Sequence, residues 1–311
     1  MTMNLSTSLP ARVAVLIPCH NEAAAIAQVV SDFRSALPHA EIYVYDNNSS
    51  DDTVARAEQA GAIVRSESHQ GKGHVVRRMF ADVQADCYLL VDGDATYHAA
   101  SAPDMIRLMQ QQQLDLVNGR RVSTEAEAYR AGHVFGNKLF SSLIGHLFGH
   151  DIQDVLSGYK VMSRRFVKSF PVRSGGFEVE TELAVHAMSL GVALREVDTP
   201  YHARPAGSQS KLRAIPDGLR ILRVIASLFK EERPRLFFGA AAGILAALSI
   251  LLALPLLGEY LRTGLVPRLP TAVLCTGIMI SALLSGAIGV ILDSVKRGQR
   301  EIKRLLYLQL N

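Results

Sequence analysis

The chain has 311 residues, 49% of them hydrophobic, and 33 Lys and Arg against 29 Asp and Glu give a net charge of +4. Its mean hydropathy of +0.15 is high for a purely soluble enzyme, so one sizeable α/β domain must be joined by a segment where apolar residues concentrate. Three scattered cysteines (Cys19, Cys87, Cys275) exclude a disulfide framework or a paired-cysteine zinc site, and the basic balance fits a membrane surface, nucleic acid or anionic small molecules.

Met1 to Arg12 holds no apolar core of signal-peptide length, so the amino-terminal domain is expected to stay in the cytoplasm. Val13 to Ile17 reads as a first buried strand ending in Pro18-Cys19-His20-Asn21-Glu22, with an Ala-rich helix from about Ala23 to Leu37. No glycine-rich phosphate loop follows that strand, which counts against a dinucleotide-binding dehydrogenase. A second strand, Glu41 to Tyr45, ends in Asp46-Asn47-Asn48-Ser49-Ser50-Asp51-Asp52-Thr53, and a helix runs on to about Ala60. Ala62 to Val64 makes a short third strand, followed by Gly71-Lys72-Gly73 and a helix carrying Arg77 and Arg78. A nucleotide P-loop would need an upstream glycine and a following Ser or Thr, and both are missing. A glycine-shaped turn, or a single Lys against a diphosphate, is the plainer reading.

The fourth strand starts at Cys87 and ends at Asp92-Gly93-Asp94. This β/α alternation predicts a mostly parallel sheet with helices on both faces, and ligands bind beyond the carboxyl ends of such strands. Three successive strand ends carry polar clusters: Asn21 and Glu22, then Asp46, Asn48 and Asp51, then Asp92 and Asp94. The last pair suits a hard divalent cation, and Gly93 would let a bulky ligand approach the backbone.

Taken in this order, the motifs resemble those of family 2 glycosyltransferases of the GT-A (nucleotide-diphospho-sugar transferase) fold. They are most similar to the polyprenyl-phosphate group that includes dolichyl-phosphate mannose synthase and bacterial undecaprenyl-phosphate sugar transferases. Asn118-Gly119-Arg120-Arg121, Leu156 to Lys160, Gly176 to Glu180 and Arg204 to Lys211 extend the resemblance over about Arg12 to Ile225. It implies that Pro18, Asn21, Glu22, Asp46, Asn48, Lys72 and Gly93 bind a UDP- or GDP-linked sugar, and that Asp92 and Asp94 hold Mg²⁺ or Mn²⁺ against its diphosphate. Transfer with inversion to a polyprenyl phosphate is also implied, and Asp92, Asp94, Arg120 and Arg204 are the candidates for carrying the chemistry. Dolichyl-phosphate mannose synthases read Asp-Ala-Asp-Leu-Gln where this chain has Asp92-Gly93-Asp94-Ala95-Thr96, so Thr96 stands in the place of a Gln that can join the metal shell.

Candidates for the acceptor phosphate are Arg120, Arg130, Arg204, Ser210 and Lys211. Arg130 suits an anion contact or a solvated helix charge equally. The basic loop from Tyr201 to Lys211 favours phosphate binding, because the membrane-associated part follows it. Phe177, Val179, Leu183, Ala187 and Leu190 predict a helix packed on the sheet, and Glu178, Glu180 and Glu182 at its start also suit the helix dipole. Val192 to Val197 reads as a late strand.

The predicted domains are a catalytic unit over residues 1–212, an interfacial amphipathic helix over 213–235 and a transmembrane region over 236–311. Arg220, Arg223, Ser227 and Lys230 form one polar stripe on the interfacial helix. The uncharged runs Leu236 to Leu257 and Thr271 to Leu292 are each long enough to cross a hydrocarbon core of about 30 Å. Lys and Arg flank the outer ends of this pair, which puts both termini and the catalytic domain on the cytoplasmic side of the inner membrane. Small residues in the spans permit close packing and a homo-oligomer. A processive polysaccharide synthase would carry more spans and a Gln-x-x-Arg-Trp motif, and the chain has no Trp. A non-catalytic nucleotide-sugar-binding scaffold would have less need of the aspartate pair, and no nucleic-acid partner is expected.

Overall fold

Val13 to Ile17 is apolar without alternation because the strand it forms is covered on both faces. In the computed structural model, which describes residues 12–122, 137, 140–146, 152–205 and 214–309, this strand is β1 (Val13–Cys19). Val13, Val15 and Ile17 enter one core with Ile26, Val29 and Phe33 of α1 (Ile26–Ala36) and with Met105 and Ile106 of α4 (Ala102–Gln111). Ala14 and Leu16 enter the other core, with Val76, Met79 and Phe80 of α3 (Lys72–Asp82), Phe166 of α5 (Arg164–Ser169) and Leu183 of α6 (Val179–Leu190).

The remaining strands are β2 (Glu41–Asp46), β3 (Ile63–Ser66), β4 (Cys87–Leu90), β5 (Leu116–Val122), β6 (Lys160–Ser163) and β7 (Leu194–Pro200), and α2 (Thr53–Gln59) joins β2 to β3. They form one seven-stranded sheet in the order β3-β2-β1-β4-β6-β5-β7. All pairings are parallel except those of β6, which runs antiparallel to both β4 and β5. The predicted mostly parallel sheet with flanking helices is therefore present. Strand order reverses between β1 and β4, the kind of switch point at which open α/β sheets leave a crevice for ligands.

Three departures from the sequence-based expectation have physical causes. Helix α1 begins at Ile26 rather than Ala23, because Asn21 sits at φ 53° and Ala25 and Ile26 both donate to the Glu22 carbonyl in a tight turn. Strand β4 stops at Leu90, and the chain has left the ladder before it reaches Asp92. Strands β5 and β6 carry Asn118, Arg120, Arg121 and Lys160, whose polar groups are satisfied by neighbouring strands and loops, so no apolar period announces them.

The chain divides into two compact units, residues 1–224 with 303–311, and residues 225–302. Within the first, Tyr307 near the carboxyl end donates to Asp115 at 2.6 Å, and the Arg165 guanidinium lies 4.9 Å from its ring centre. The predicted basic tail is thus the last part of a helix, α9 (Leu269–Gln309). In the second unit, α8 (Pro234–Thr263) and α9 are each long and apolar enough to cross a membrane. Only 11% and 17% of their most apolar windows are buried, unlike core helices of a soluble protein. Ser249 donates to the Cys275 carbonyl at 2.9 Å and Ser285 to that of Phe238 at 3.1 Å, so some of the small residues serve packing within the chain. Helix α7 (Ala214–Glu232) covers the predicted interfacial segment; Leu219 and Leu222 are exposed beside Arg220 and Arg223 on its surface. Its terminal Glu232 pairs with Lys296 at 2.5 Å and with Arg300 at 3.2 Å.

Candidate functional site

Asp92 and Asp94 lie just past β4, and each carboxylate already faces a cation. Lys72, the first residue of α3, donates to both Asp92 and Glu180. Burial alone would lower the Lys72 pKa, but the two carboxylates outweigh it and hold the ammonium above its usual range. Arg204 reaches Asp94 Oδ2 at 2.5 Å and Glu22 Oε1 at 3.8 Å, bridging the ends of β4 and β1. Burial raises the Asp94 pKa, the Asp92 charge adds to the rise, and Arg204 opposes it.

Thr96 completes this corner. Its hydroxyl donates to Asp94 Oδ1 at 2.6 Å and its amide to the same oxygen at 3.2 Å, which fixes the carboxylate plane. The turn places Ala95 at φ 58°, a strained conformation for a residue with a β-carbon. His202 donates its amide to the Thr96 carbonyl at 2.9 Å, and Tyr97 bridges to Tyr201, so the segment bearing Arg204 is tied to the aspartate turn.

Gly93 packs closely on the core. A β-carbon there would lie 2.5 Å from Cys19 Sγ and 3.3 Å from Ile17, so its close approach is to the core. Gly158 makes room for Asp92: a β-carbon at this position would lie 2.8 Å from the Asp92 carboxyl carbon.

The β1, β2 and β3 ends form one connected wall. Pro18 pairs in register with Tyr45 on β2. Asn21 accepts from the Ser50 amide at 2.7 Å, the Glu22 amide donates to Thr53 at 2.8 Å, and Asp46 accepts from the Ser49 amide at 3.1 Å. Asn48, at φ 60°, donates to the Ser68 carbonyl at 2.8 Å. Its neighbour Asn47 is the hub: it donates to the Glu67 and His69 carbonyls, both at 2.8 Å, and accepts from the Gly71 amide at 2.7 Å. Gly71 and Gly73 are explained by a backbone crossing. The Gly73 amide donates to the Gly175 carbonyl at 3.1 Å, and Gly71 has a φ of 133°.

The predicted basic residues separate. Arg204 joins the aspartates. Arg120 is paired across strands with Asp198, at 2.6 and 2.7 Å, and also donates to Gln153. Arg130, Ser210 and Lys211 lie outside the described residues.

The two carboxylates fit a divalent cation by the chemistry of their donors. Among the described residues no group of three or more His, Cys, Asp or Glu forms a cage for a metal. Mg²⁺ at phosphoryl sites needs only one or two carboxylates, with substrate phosphates and water completing its shell. Asp92 and Asp94 supply two such carboxylates, each now paired with a basic side chain.

The model for "Glycosyl transferase family 2" matches residues 14–170, which contain all four of these strand ends. The chain belongs to glycosyl transferase family 2. It is 32% identical over 303 residues to "Glycosyltransferase AglJ" of Haloferax volcanii, covering 96% of this chain and 99% of that protein. It is 28% identical over 225 residues to a "Dolichyl-phosphate hexose transferase" of the same organism, covering 72% of this chain and 96% of that one. Glucosyl-3-phosphoglycerate synthase from Mycobacterium tuberculosis, solved with Mn²⁺, UDP-glucose and phosphoglyceric acid, shares the fold. Its TM-score is 0.59 at 23% identity, covering 71% of this chain and 79% of that chain.

The acidic and basic residues beneath the site form a buried series. Glu180 is 3% exposed, and burial raises its pKa while Lys72 opposes the rise. Lys160, at the start of β6, is 1% exposed and donates to Asn118. Beside them, Arg121 binds Asp154 through two contacts of 2.7 and 2.8 Å and lies 5.6 Å from the Tyr201 ring centre. Sequence reasoning missed Glu180, Asn47 and Lys160 as site-supporting residues. A Lys directly before Val161 and Met162 was a weak signal for Lys160, because buried ammonium groups need built partners.

Burial pulls the Lys160 pKa down from 10.5 to about 8, with Glu180 and Asp154 partly opposing the shift. Between those values the unfolded chain holds the proton and the folded one releases it, so this residue's contribution to stability rises with pH. Relative to Lys160→Met, the wild type is expected to gain up to about 3 kcal/mol between pH 7 and pH 10.5. Denaturant unfolding of both proteins in detergent at several pH values measures it; a constant difference would contradict a depressed Lys160.

Proposed function

We propose that the protein is a membrane-anchored, inverting glycosyltransferase that moves a sugar from a UDP- or GDP-linked donor to a polyprenyl phosphate. The observation that carries this reading is the pairing of Asp92 with Lys72 and Asp94 with Arg204 at the sheet's switch point, in a chain with two long apolar helices. Such a site offers two cations for phosphate oxygens and a carboxylate pair for a divalent cation that would accompany them. The similarity to a dolichyl-phosphate hexose transferase supports the lipid class of the acceptor.

A phosphate monoester has a second pKa near 6, so at neutral pH the acceptor is largely a dianion and a ready nucleophile. One of its oxygens attacks the sugar's anomeric carbon while the bond from that carbon to the donor diphosphate breaks, and the nucleoside diphosphate leaves with the bonding pair. No strong general base is required; positioning and cationic groups carry the catalysis. The polar wall from Pro18 to Asn48 receives the nucleoside, Lys72 and Arg204 face the phosphates, and Gly158 leaves Asp92 room. A divalent cation held by Asp92 and Asp94 would neutralise charge on the departing diphosphate. Arg130, Ser210 and Lys211 complete the acceptor side in this reading. Arg120 would have to leave Asp198 to join them.

The domains proposed from the sequence fit this task. Residues 1–212 act on the cytoplasmic face, α7 lies in the interface through its mixed basic and apolar surface, and α8 and α9 anchor the chain. Purified protein in detergent, given Mg²⁺, undecaprenyl phosphate and a panel of labelled UDP- and GDP-sugars, is expected to move label into the lipid with one donor. Absence of lipid label with every donor, alongside intact folding, would refute the acceptor assignment.

A further inference from the structure

Both oxygens of Asp94 are engaged, and its side chain is only 5% exposed. Oδ1 takes two hydrogen bonds from Thr96, and Oδ2 is covered by Arg204 at 2.5 Å. A cation approaching this carboxylate meets one oxygen locked by its own turn and one held by a guanidinium. Asp92 differs. Its partner Lys72 is also bound to Glu180, whose Oε2 is buried without a hydrogen-bond partner. Lys72 can lose Asp92 and stay anchored, since its side chain is 9% exposed and Glu180 keeps a spare acceptor beside it. Arg204 is 30% exposed and also reaches a second carboxylate, Glu22 Oε1, at 3.8 Å.

We infer that Arg204 and a divalent cation are alternative partners of Asp94, so that Arg204 must leave the carboxylate for the metal to bind and is thereby released towards a phosphate. The inference rests on the metal reading given above and adds an order to it. A metal alone should bind weakly, because the displaced Arg204 keeps its positive charge near the incoming cation. A nucleoside diphosphate offers that guanidinium another acceptor, so metal and nucleotide should bind cooperatively. By linkage the coupling is reciprocal, and couplings between ligands commonly amount to about 5- to 150-fold.

Mn²⁺ binding to the full-length protein in detergent, followed by the electron paramagnetic resonance of free Mn²⁺, tests this without turnover. Without nucleotide, Arg204→Gln is expected to bind Mn²⁺ about tenfold more tightly than wild type. Adding UDP or GDP should tighten Mn²⁺ binding in wild type and do so much less in the variant. Arg204→Lys keeps the charge but loses the planar fork, and is expected to fall between the two. Affinity in Arg204→Gln no higher than in wild type would overturn the exchange. So would Arg204→Lys matching wild type while Arg204→Gln binds more tightly, since that is the pattern of a charge acting at a distance. If wild type and both variants all fail to bind Mn²⁺ with either nucleotide, the metal reading falls together with the exchange. Mn²⁺ binding that is lost in Asp94→Asn keeps the two failures apart.

Discussion

Asp94→Asn is expected to lower the rate of sugar transfer by about 10³-fold while leaving the melting temperature unchanged or higher. The expected loss reflects removal of electrostatic stabilisation where charge develops, for which single-group deletions cost about 10² to 10³. The stability side follows from the direction of the Asp94 pKa, which burial and the Asp92 charge raise. A carboxylate with a raised folded pKa is easier to ionise in the unfolded chain, so at neutral pH its charge opposes folding. Asn keeps the shape and the Thr96 contact but removes that opposition, and Arg204 retains Glu22 as a carboxylate neighbour. Initial rates and thermal melts on the same preparations decide the matter. Full activity in Asp94→Asn would remove Asp94 from the chemistry. A large fall in melting temperature would instead mean that the Arg204 pair supports the fold.

That opposition between activity and stability also explains what could be read from the sequence. The run Cys87 to Val91 advertises itself because a strand covered on both faces must be apolar, and the aspartates follow where the strand has ended. Asn21, Asp46 and Asp92 could be placed on one edge from the β/α alternation alone. The cations could not. Lys72 and Glu180 are 108 positions apart, and Arg204 meets Asp94 from beyond β7, so no local period links either pair. Glu180 was further disguised by Glu178 and Glu182, which suit any helix start. In the fold, Glu182 accepts from the Arg173 and Ser174 amides at 3.0 and 3.1 Å, while Glu180 turns inward to Lys72.

Polar strands were hidden for a related reason. Leu116 to Val122 becomes β5 because its polar side chains find partners on neighbouring segments. Asn118 meets Glu196, Arg120 meets Asp198 and Arg121 meets Asp154. Periodicity reports burial against apolar neighbours, so a strand satisfied by ion pairs leaves no such trace.

Gly73→Ala is expected to be strongly destabilising. A β-carbon at Gly73 would lie 2.7 Å from the Ser174 carbonyl carbon and 3.0 Å from that of Gly175, both backbone atoms that no rotamer change can move. The chain at 173–175 is itself held, by Glu182 through two amides and by the Gly73 amide on the Gly175 carbonyl. Relieving the overlap must therefore break this crossing or displace the start of α3, at a cost of at least about 3 kcal/mol. Displacing α3 also moves Lys72, so transfer should fall even under conditions where the variant remains folded. Gly218→Ala in α7 is the matching control: its nearest atom would be Phe140 at 4.0 Å, and a helical Ala should be neutral or stabilise by up to about 1 kcal/mol. Denaturant midpoints of the two variants in detergent give the comparison. A Gly73→Ala protein as stable as wild type would mean that the 71–73 and 173–175 segments do not cross at contact distance, and the position of Lys72 beside Asp92 would lose its support.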